Sequence, residues 1–427
     1  MKWFQRVIQI LKIKDLRQKI FFVLMILVIF RVAASIPVPG IDAERLRQFF
    51  TNNQLFGLLN IFTGGAMSNL SIVMLGLGPF ITATIIMQLL TMIFPQLEAI
   101  YKEEGERGRQ KFNQYARMLT IPLAALQSYA MLTLLSHQNI IGSLSAIQWV
   151  TSISVITAGA LFLMWLGELI SEKGIGNGVS LLIFAGIVSQ VPQSIRDIVV
   201  TYNPAQIPSY LAFLVVALII IAGVVVINEG RRNIPVSYAK RVRGHRIYGG
   251  VSTYLPLNVN PAGVIPIIFA LSIMLFPGMV ASFLSASRIG WLANFSQSIG
   301  QLFQNVWFYG ICYFVLVVLF TYFYTAVTFD PKNVANNLQK MGGFIPGIRP
   351  GRPTSDFLYF ILNRVLLFGA FFLGTIAVLP SIVQGATGIT AFGFAIGGTA
   401  LLIIVSVVLE TMRQIGSQLT MRDYEGF

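Results

Sequence analysis

The side chains that most often carry chemistry are few in this sequence and lie far apart. The single cysteine, Cys312, stands in an apolar stretch, so no internal disulfide or cysteine-rich metal site can form. The two histidines, His137 and His245, are too distant in sequence to make a paired-histidine zinc motif. The apolar stretches contain no serine–histidine pair, no HExxH motif and no carboxylate dyad. We therefore expect neither an enzyme nor a bound metal or cofactor.

One glycine-rich segment has the composition of a nucleotide-binding loop, and it reads Gly174-Ile-Gly-Asn-Gly178. It lacks both the spacing of a dinucleotide-binding loop and the Lys-Ser/Thr of a P-loop, and it joins two apolar runs rather than a strand and a helix. We interpret this segment as a tight turn.

Branched aliphatic residues offer a different function, which is the exclusion of water. Ile81 and Ile85 are four residues apart and therefore share one face of a helix, while Thr82, Thr84 and Gln88 add polarity without charge. Branched aliphatic side chains on such a face resist wetting and offer no ligand to an ion. For a single isoleucine, packing against lipid or protein is the alternative interpretation.

The helices that must position these residues are predicted from hydropathy. The chain has 427 residues, of which 55% are hydrophobic and 11% charged, and its mean hydropathy is +0.74, which indicates a membrane protein. Ten runs with almost no charge are long enough to cross a bilayer as helices. They are residues 20–36, 72–94, 118–136, 149–167, 179–195, 210–228, 262–287, 306–329, 357–379 and 389–409. Gln190 and Pro192 weaken the end of the fifth run, whose helix either stops there or continues to Val200.

Lysine and arginine are concentrated on one side of the predicted membrane. With the N-terminus inside, the cytoplasmic segments carry 24 of the 30 basic residues and the outside loops carry 4. Basic loops tend to remain cytoplasmic, so both termini are predicted to be cytoplasmic. The other two, Arg31 and Arg364, lie within the runs, where we expect their charges to snorkel to the nearer interface, and we assign neither a transport role.

Three connections are longer than the joining of two helices requires. Two are cytoplasmic, residues 229–256 and 329–355, and one is the first outside connection, residues 37–71. Within the last, segment 57–71 is apolar but too short and too rich in glycine to span the membrane. It is predicted to be a re-entrant half-helix, which requires surrounding protein or a water-filled cavity. An interfacial amphipathic helix is the alternative.

Several stretches resemble one known family, the SecY family of protein translocase channels. They are Gly76-Leu-Gly-Pro-Phe-Ile-Thr-Ala-Thr-Ile-Ile-Met-Gln88, Leu166-Gly-Glu-Leu-Ile-Ser-Glu-Lys-Gly-Ile-Gly-Asn-Gly-Val-Ser-Leu-Leu-Ile-Phe-Ala-Gly186, Ile234-Pro-Val-Ser-Tyr-Ala-Lys-Arg241, Leu255-Pro-Leu-Asn-Val-Asn-Pro-Ala-Gly-Val-Ile-Pro266 and Gly342-Gly-Phe-Ile-Pro-Gly-Ile-Arg-Pro-Gly351. With ten spans in order, the resemblance covers essentially the whole chain. It implies an all-α polytopic membrane protein whose ten transmembrane helices form two inverted, pseudo-symmetric five-helix halves around a central pore.

The resemblance places the boundary between the two halves near residue 200. Residues 1–200 would form the N-terminal half with the segment 57–71, and residues 201–427 would form the C-terminal half with the long cytoplasmic loops. The pattern Pro-x-Ile-x-Ala occurs at Pro79 and again at Pro266, as an inverted repeat would require, although chance explains a match of this length equally well.

The resemblance also implies roles for individual residues. The positions that match the family's pore constriction are Ile81, Ile85, Ile183, Ile187, Ile268 and Ile403. The positions that match its plug, a short helix that fills the outer funnel of the resting channel, are Asn60, Ile61, Phe62, Thr63, Gly64, Gly65, Ala66, Met67, Ser68 and Asn69. The cations expected to dock cytoplasmic partners are Lys240, Arg241, Arg243 and Arg349, for which membrane topology and anionic-lipid contact are the alternative.

The function implied is a protein-conducting channel of the general secretory pathway in the bacterial plasma membrane. Its implied partners are the small membrane subunits SecE and SecG, the SecA ATPase, the ribosome, polypeptides that bear signal sequences, and membrane lipids. An ion-coupled secondary transporter is the alternative, but it normally needs Asp, Glu or His within the membrane. Glu168 and Glu410 lie only at cytoplasmic helix ends, which disfavours that alternative. An intramembrane enzyme is a third possibility, which the absence of catalytic motifs disfavours.

Overall fold

A computed structural model describes most of the chain. The described residues are 13–38, 60, 63–102, 104–137, 141, 145–200, 204, 207–238, 241–243, 246–248, 252–285, 298, 302, 305–387 and 398–425. The helices within them are α1 (Lys14–Ser35), α2 (Gly78–Ile93), α3 (Pro95–Lys102), α4 (Gly105–His137), α5 (Ala146–Lys173), α6 (Gly178–Val200), α7 (Ile207–Glu229), α8 (Ile265–Ser285), α9 (Val306–Thr328), α10 (Pro331–Lys340), α11 (Arg352–Thr387) and α12 (Gly398–Glu425). The strands are β1 (Arg231–Tyr238), β2 (Arg241–Arg243), β3 (Arg246–Tyr248), β4 (Ser252–Asn258) and β5 (Gly343–Phe344).

Each of the ten predicted spans overlaps one long helix. In the described part of the chain, α1, α4, α5, α11, α12 and the α9–α10 region are long and apolar enough to cross a membrane, and α2 with α3 forms a further candidate bent by 115°. The apolar portions of α6, α7 and α8 are shorter, at Gly178–Gln193, Leu214–Glu229 and Ile265–Met274. Helices are expected here because lipid offers no hydrogen-bond partner to the backbone. The predicted all-α, multi-pass fold is confirmed.

Local sequence accounts for several helix boundaries. Ser145 caps α5 through a capping box, in which its hydroxyl accepts from the Gln148 amide at 3.4 Å and its own amide donates to the Gln148 side chain at 2.9 Å. Asn305 caps α9 in the simpler way, by accepting from the amide of Trp307 at 3.0 Å. The helix of the fifth run does continue to Val200, with Pro192 inside it.

The second span begins later than the sequence predicted. The predicted run starts at residue 72, but residues 63–70 and 72–77 form consecutive turns and α2 begins at Gly78. Gly76 has a φ of 58°, a left-handed conformation that ends any helix approaching from the N-terminal side. Pro79 then occupies the first turn of α2, where a missing N–H has no cost.

The helices pack as two neighbouring groups that meet along two seams. In the first group α2 contacts α4, α4 contacts α5, and α5 contacts α6. In the second group α8 contacts α9, α9 contacts α11, and α12 contacts α7 and α11. Across the groups, α8 packs on α2 and α4, while α12 packs on α6. The division into halves at residue 200 stays a prediction, and these contacts agree with it.

The two long connections that were predicted to be cytoplasmic contribute strands to one small sheet. The strand order is β4–β1–β5, and β1 is antiparallel to both neighbours, with Ser237 opposite Phe344 and Tyr238 opposite Gly343. Beneath the sheet lies a separate apolar core whose buried members are Ile234, Val236, Leu257, Leu338, Ile345 and Leu358. The sequence analysis treated these connections as independent loops. Only the alternation of Ile234 and Val236 pointed to a strand with one buried face.

Candidate functional site

The six isoleucines assigned to a constriction all belong to one large apolar cluster, which draws residues from both helix groups. Five of them are buried members of the largest core cluster, and the sixth is partly buried and packs against it. The exposed fractions of the five are 8% for Ile81, 1% for Ile85, 5% for Ile183, 2% for Ile187 and 0% for Ile403; the sixth is Ile268. Their side chains therefore have little contact with solvent in this conformation.

The helices that carry these isoleucines are the helices that meet across the two seams. Ile81 and Ile85 are on α2 and Ile268 is on α8, which form one seam. Ile183 and Ile187 are on α6 and Ile403 is on α12, which form the other. Because both seams contribute, separation of the two helix groups would pull the isoleucines apart. Spacing along the sequence could not have predicted this convergence.

The polar residues of α2 are mostly satisfied within their own helix. The Thr82 hydroxyl donates to the Gly78 carbonyl and the Thr84 hydroxyl to the Phe80 carbonyl, each at 2.9 Å. Both hydroxyl groups therefore have a hydrogen-bond acceptor within α2 and need none from the surrounding apolar cluster. Gln88 is buried, and its side-chain carbonyl oxygen accepts no hydrogen bond from the described residues.

The described part of the segment assigned as a plug is a compact series of turns. Ile61 and Phe62 lie outside the described residues, and residues 63–70 are turns rather than the predicted helix. The Asn60 side-chain oxygen accepts from the Ser68 amide at 2.8 Å, and the Ser68 hydroxyl donates to the Gly65 carbonyl at 3.0 Å. The helix was the wrong expectation for these residues, because glycines at positive φ interrupt it.

This segment sits against the isoleucine cluster. Ala66 is fully buried and belongs to the same core cluster as the isoleucines, whereas Met67 and Leu70 belong to a second cluster between α4 and α5. An isolated antiparallel bridge joins Ser71 to Pro37, directly after α1. The segment is therefore enclosed by protein, as a re-entrant segment requires.

Arg31 is exposed near the C-terminal end of α1, which is compatible with the predicted snorkelling, but its guanidinium also has two specific partners. Its guanidinium Nη1 donates to the carbonyl of Gly64 at 2.5 Å and to the hydroxyl of Ser189 on α6 at 3.0 Å. Hydropathy could not reveal these partners, because they are far from Arg31 in sequence. Arg364 lies over the ring of Phe360 at 4.1 Å, one turn nearer the cytoplasmic end of α11, which agrees with snorkelling.

The cations assigned to docking belong to the two long connections between helices, and three of the four are described. Lys240 is outside the described residues, and Arg241 and Arg243 are on β2, which pairs with β3 in a separate two-stranded hairpin. Arg349 is exposed in the loop between β5 and α11, and its carbonyl accepts from the Thr354 hydroxyl at 2.8 Å. This hydrogen bond holds the backbone of Arg349, whose side chain is exposed.

A polar network lies at the C-terminal end of α7, and no pattern in the sequence predicted it. The Asn228 amide donates to the Ser406 hydroxyl on α12 at 2.6 Å, and the Asn260 amide donates to the Asn228 side-chain oxygen at 2.9 Å. Arg413 adds a hydrogen bond to the Asn228 carbonyl at 2.5 Å and an ion pair with Glu229 at 2.6 Å. The network ties the base of the sheet to the helix that carries Ile403.

A second ion pair joins two helices of the other group, with Arg117 Nε at 2.6 Å from Glu168 Oε1. Within the described residues, no cluster of three or more His, Cys, Asp or Glu side chains could hold a metal ion. The site that remains is therefore an apolar cluster bordered by uncharged polar groups.

Comparison with known proteins identifies the family of this chain. A family model described as SecY matches residues 71–412. This chain belongs to the SecY family. The protein translocase subunit SecY of Corynebacterium glutamicum is 44% identical over 442 aligned residues, which cover 98% of this chain and 99% of that protein. The SecY of Mycobacterium tuberculosis is 44% identical over 436 residues, which cover 98% of each chain.

Solved structures share the SecY fold at lower identity. One is described as the structure of a protein conducting channel; its TM-score is 0.65 at 20% identity, and the match covers 92% of this chain and 90% of that one. Another is Sec61 in the canine ribosome–channel complex from the endoplasmic reticulum, with a TM-score of 0.60 at 19% identity and the same coverage. At these identities the likeness concerns the fold alone.

Proposed function

We propose that this SecY-family chain is the channel-forming subunit of a bacterial protein translocase. In this proposal unfolded polypeptides cross between its two helix groups, and hydrophobic segments leave sideways into the bilayer. The chain acts as a passive conduit rather than as an enzyme, and a cytoplasmic partner supplies the energy. Its relatives that are named protein translocase subunit SecY match it over nearly their full length, which supports this assignment.

The observation that carries the proposal is the position of the six isoleucines. They lie on four of the helices that meet across the two seams, and they belong to one large apolar cluster. Aliphatic side chains are deformable and uncharged, so they can close around polypeptides of any sequence. Without a polypeptide between them they exclude water, and this prevents ion leakage. In this proposal Ile81, Ile85, Ile183, Ile187, Ile268 and Ile403 form the constriction.

We assign the segment around Ala66 to the plug of the resting channel. It is enclosed by protein, it touches the isoleucine cluster, and its polar side chains bond within the segment. Internal bonding allows the segment to move as a unit, because the Asn60 and Ser68 side chains need not find new partners when it leaves. Opening would therefore combine plug displacement with separation of the helix groups.

The cytoplasmic sheet is the proposed docking surface for the ribosome and for the SecA ATPase. The proposed docking cations are Lys240, Arg241, Arg243 and Arg349; of these, Arg349 is exposed in the loop that follows β5. Ribosomal RNA phosphates favour such cations. We further propose that the chain resides in the bacterial plasma membrane with both termini cytoplasmic, and that it assembles with the small subunits SecE and SecG.

Site-specific crosslinking tests the proposed path. In a Cys312→Ser background, single cysteines replace Ile85 and Ile403, and a stalled secretory polypeptide with one cysteine-reactive probe is added with the partner ATPase. We expect crosslinks at both positions that depend on a functional signal sequence. The control positions are Ile219, whose side chain is 65% exposed on the outside of α7, and Ile156, which is fully buried in the second cluster.

The control positions decide the interpretation. Crosslinks confined to the constriction positions support passage through the cluster. Equal crosslinking at Ile219 would mean that the polypeptide contacts the outer surface rather than a pore. No crosslinking at either constriction position, while the polypeptide still crosses the membrane, would contradict the assigned path.

A further inference from the structure

The contact between Arg31 and the plug points to a positioning residue for the resting state. Arg31 is on α1, about 6 Å from the outer end of that helix at 1.5 Å per residue. Its guanidinium reaches two other parts of the chain, the Gly64 carbonyl in the plug and the Ser189 hydroxyl on α6. One side chain therefore connects α1, the plug and α6.

The Gly64 carbonyl depends on this arginine. Gly64 is buried, and among the described residues its carbonyl accepts a hydrogen bond from Arg31 alone. A buried carbonyl without a donor is unfavourable, and a charged donor gives a stronger bond than a neutral one. Removal of the guanidinium would therefore weaken the closed position specifically, because a displaced plug can hydrogen-bond with water.

Ser189 holds the guanidinium in place. Its hydroxyl accepts from Arg31 and donates to the Gly186 carbonyl at 2.6 Å, so both of its hydrogen-bonding roles are used. Ser189 is two residues beyond Ile187, a proposed member of the constriction. The contact thus joins the plug to the same helix that contributes to the seal.

The plug backbone is shaped to reach this contact. Gly64 and Gly65 have φ values of 68° and 81°, which favour glycine. A Cβ on Gly64 would lie 2.9 Å from the Cα of Gly186, and one on Gly65 would lie 2.2 Å from the Nε2 of Gln190. Only a backbone without side chains can approach α6 this closely and present the Gly64 carbonyl to Arg31.

We propose that Arg31 is the latch that holds the plug in the resting channel. This inference rests on the proposed channel function, and it adds the residue that sets how readily the plug leaves. The latch consists of hydrogen bonds to a neutral carbonyl and a neutral hydroxyl, and no described carboxylate forms an ion pair with Arg31. Bonds of this kind are strong enough to favour closure and weak enough to break during each cycle.

The test measures plug exposure directly. In a Cys312→Ser background, Asn69→Cys places a thiol in the plug, and a membrane-impermeant maleimide is added from the outside to resting vesicles. We expect Arg31→Met to raise the labelling rate roughly 10- to 100-fold, the factor that corresponds to loss of a charged hydrogen bond. Ser189→Ala leaves the Gly64 bond in place, so it should give a smaller increase.

The control is a second arginine in a membrane helix. Arg364→Met removes the same charge from α11, where the described contact is the Phe360 ring rather than the plug. Its labelling rate should equal that of the parent. An unchanged rate in Arg31→Met, or an equal rise in both variants, would overturn the latch. If Arg31→Met does not fold, Ser189→Ala decides alone, and an unchanged rate there overturns the proposal.

Failure of the latch can be distinguished from failure of the channel assignment. The parent carrying Asn69→Cys is also assayed for signal-dependent translocation with its partner ATPase. Translocation by the parent together with unchanged labelling in Arg31→Met refutes the latch alone. Absence of translocation by a folded parent refutes the channel function, while the labelling rates still report on the contact.

Discussion

The sharpest test of the constriction compares two buried isoleucines that differ only in position. Ile403 and Ile156 are both 0% exposed, but Ile403 lies in the seam cluster and Ile156 in the second cluster. Each is replaced by serine. Loss of a buried isoleucine side chain should destabilise the fold by about 2–5 kcal/mol in either case. The two variants are thus matched for general damage.

The fraction of open channels is expected to rise mainly in Ile403→Ser. Burial of an isoleucine contributes about 2 kcal/mol relative to an exposed side chain. At position 403 this contribution favours the closed seam over a hydrated one, so Ile403→Ser should raise the open fraction by roughly 30-fold. Ile156 lies outside the seam cluster, so opening of the seam should leave its side chain buried. Because its cluster also holds Met67 and Leu70 of the plug, Ile156→Ser should give at most a smaller rise in the open fraction.

The assay is resting ion flux through reconstituted channels without any partner. Thermal unfolding in detergent is measured for both variants to confirm equal loss of stability. A rise in flux for Ile403→Ser that clearly exceeds any rise for Ile156→Ser is the expected result. Equal flux in the two variants, or a rise only in Ile156→Ser, would refute the assignment of the seam cluster as the seal.

Three further predictions follow from other contacts. Gly64→Ala should increase resting ion flux, because its Cβ would lie 2.9 Å from the backbone Cα of Gly186 and its φ of 68° disfavours a side chain, so that the plug is pushed away from α6; a plug cysteine whose labelling rate stays at the parental value would contradict this. Arg413→Leu should lower the free energy of unfolding by about 1 kcal/mol in denaturant titrations, because its ion pair with Glu229 is partly exposed. An unchanged free energy of unfolding would mean that the ion pair does not stabilise the fold. Reversal of Arg241 and Arg243 to glutamate should weaken binding of ribosomes or SecA to vesicles, and retained affinity would reduce these cations to a role in topology.

The sequence predicted the membrane fold well because lipid imposes strict rules. Apolar runs of sufficient length must be helical, and the asymmetry of basic residues orients them. The helix boundaries were less predictable, since polar residues extend several helices beyond the bilayer. α2 illustrates the opposite case, because the left-handed conformation of Gly76 shortens a run that hydropathy alone would make helical from residue 72.

Contacts between distant residues were largely beyond sequence reasoning. Family resemblance brought the six isoleucines together, whereas spacing could pair only those on one helix, such as Ile81 with Ile85. Arg31 was expected to snorkel because its partners, Gly64 and Ser189, are 33 and 158 residues away. The sheet was missed for a similar reason, since β5 is two residues long and finds its partner strand about a hundred residues earlier in the chain.

The pairing of β5 with β1 has a mechanical consequence. A force applied to either of these two long connections is shared by both, because their backbones are hydrogen-bonded and their side chains pack in one core. The strand β4 is followed after a short turn by α8, which carries Ile268. A pull on this sheet would therefore reach α8, and with it the seam between α8 and α2, through one short connection.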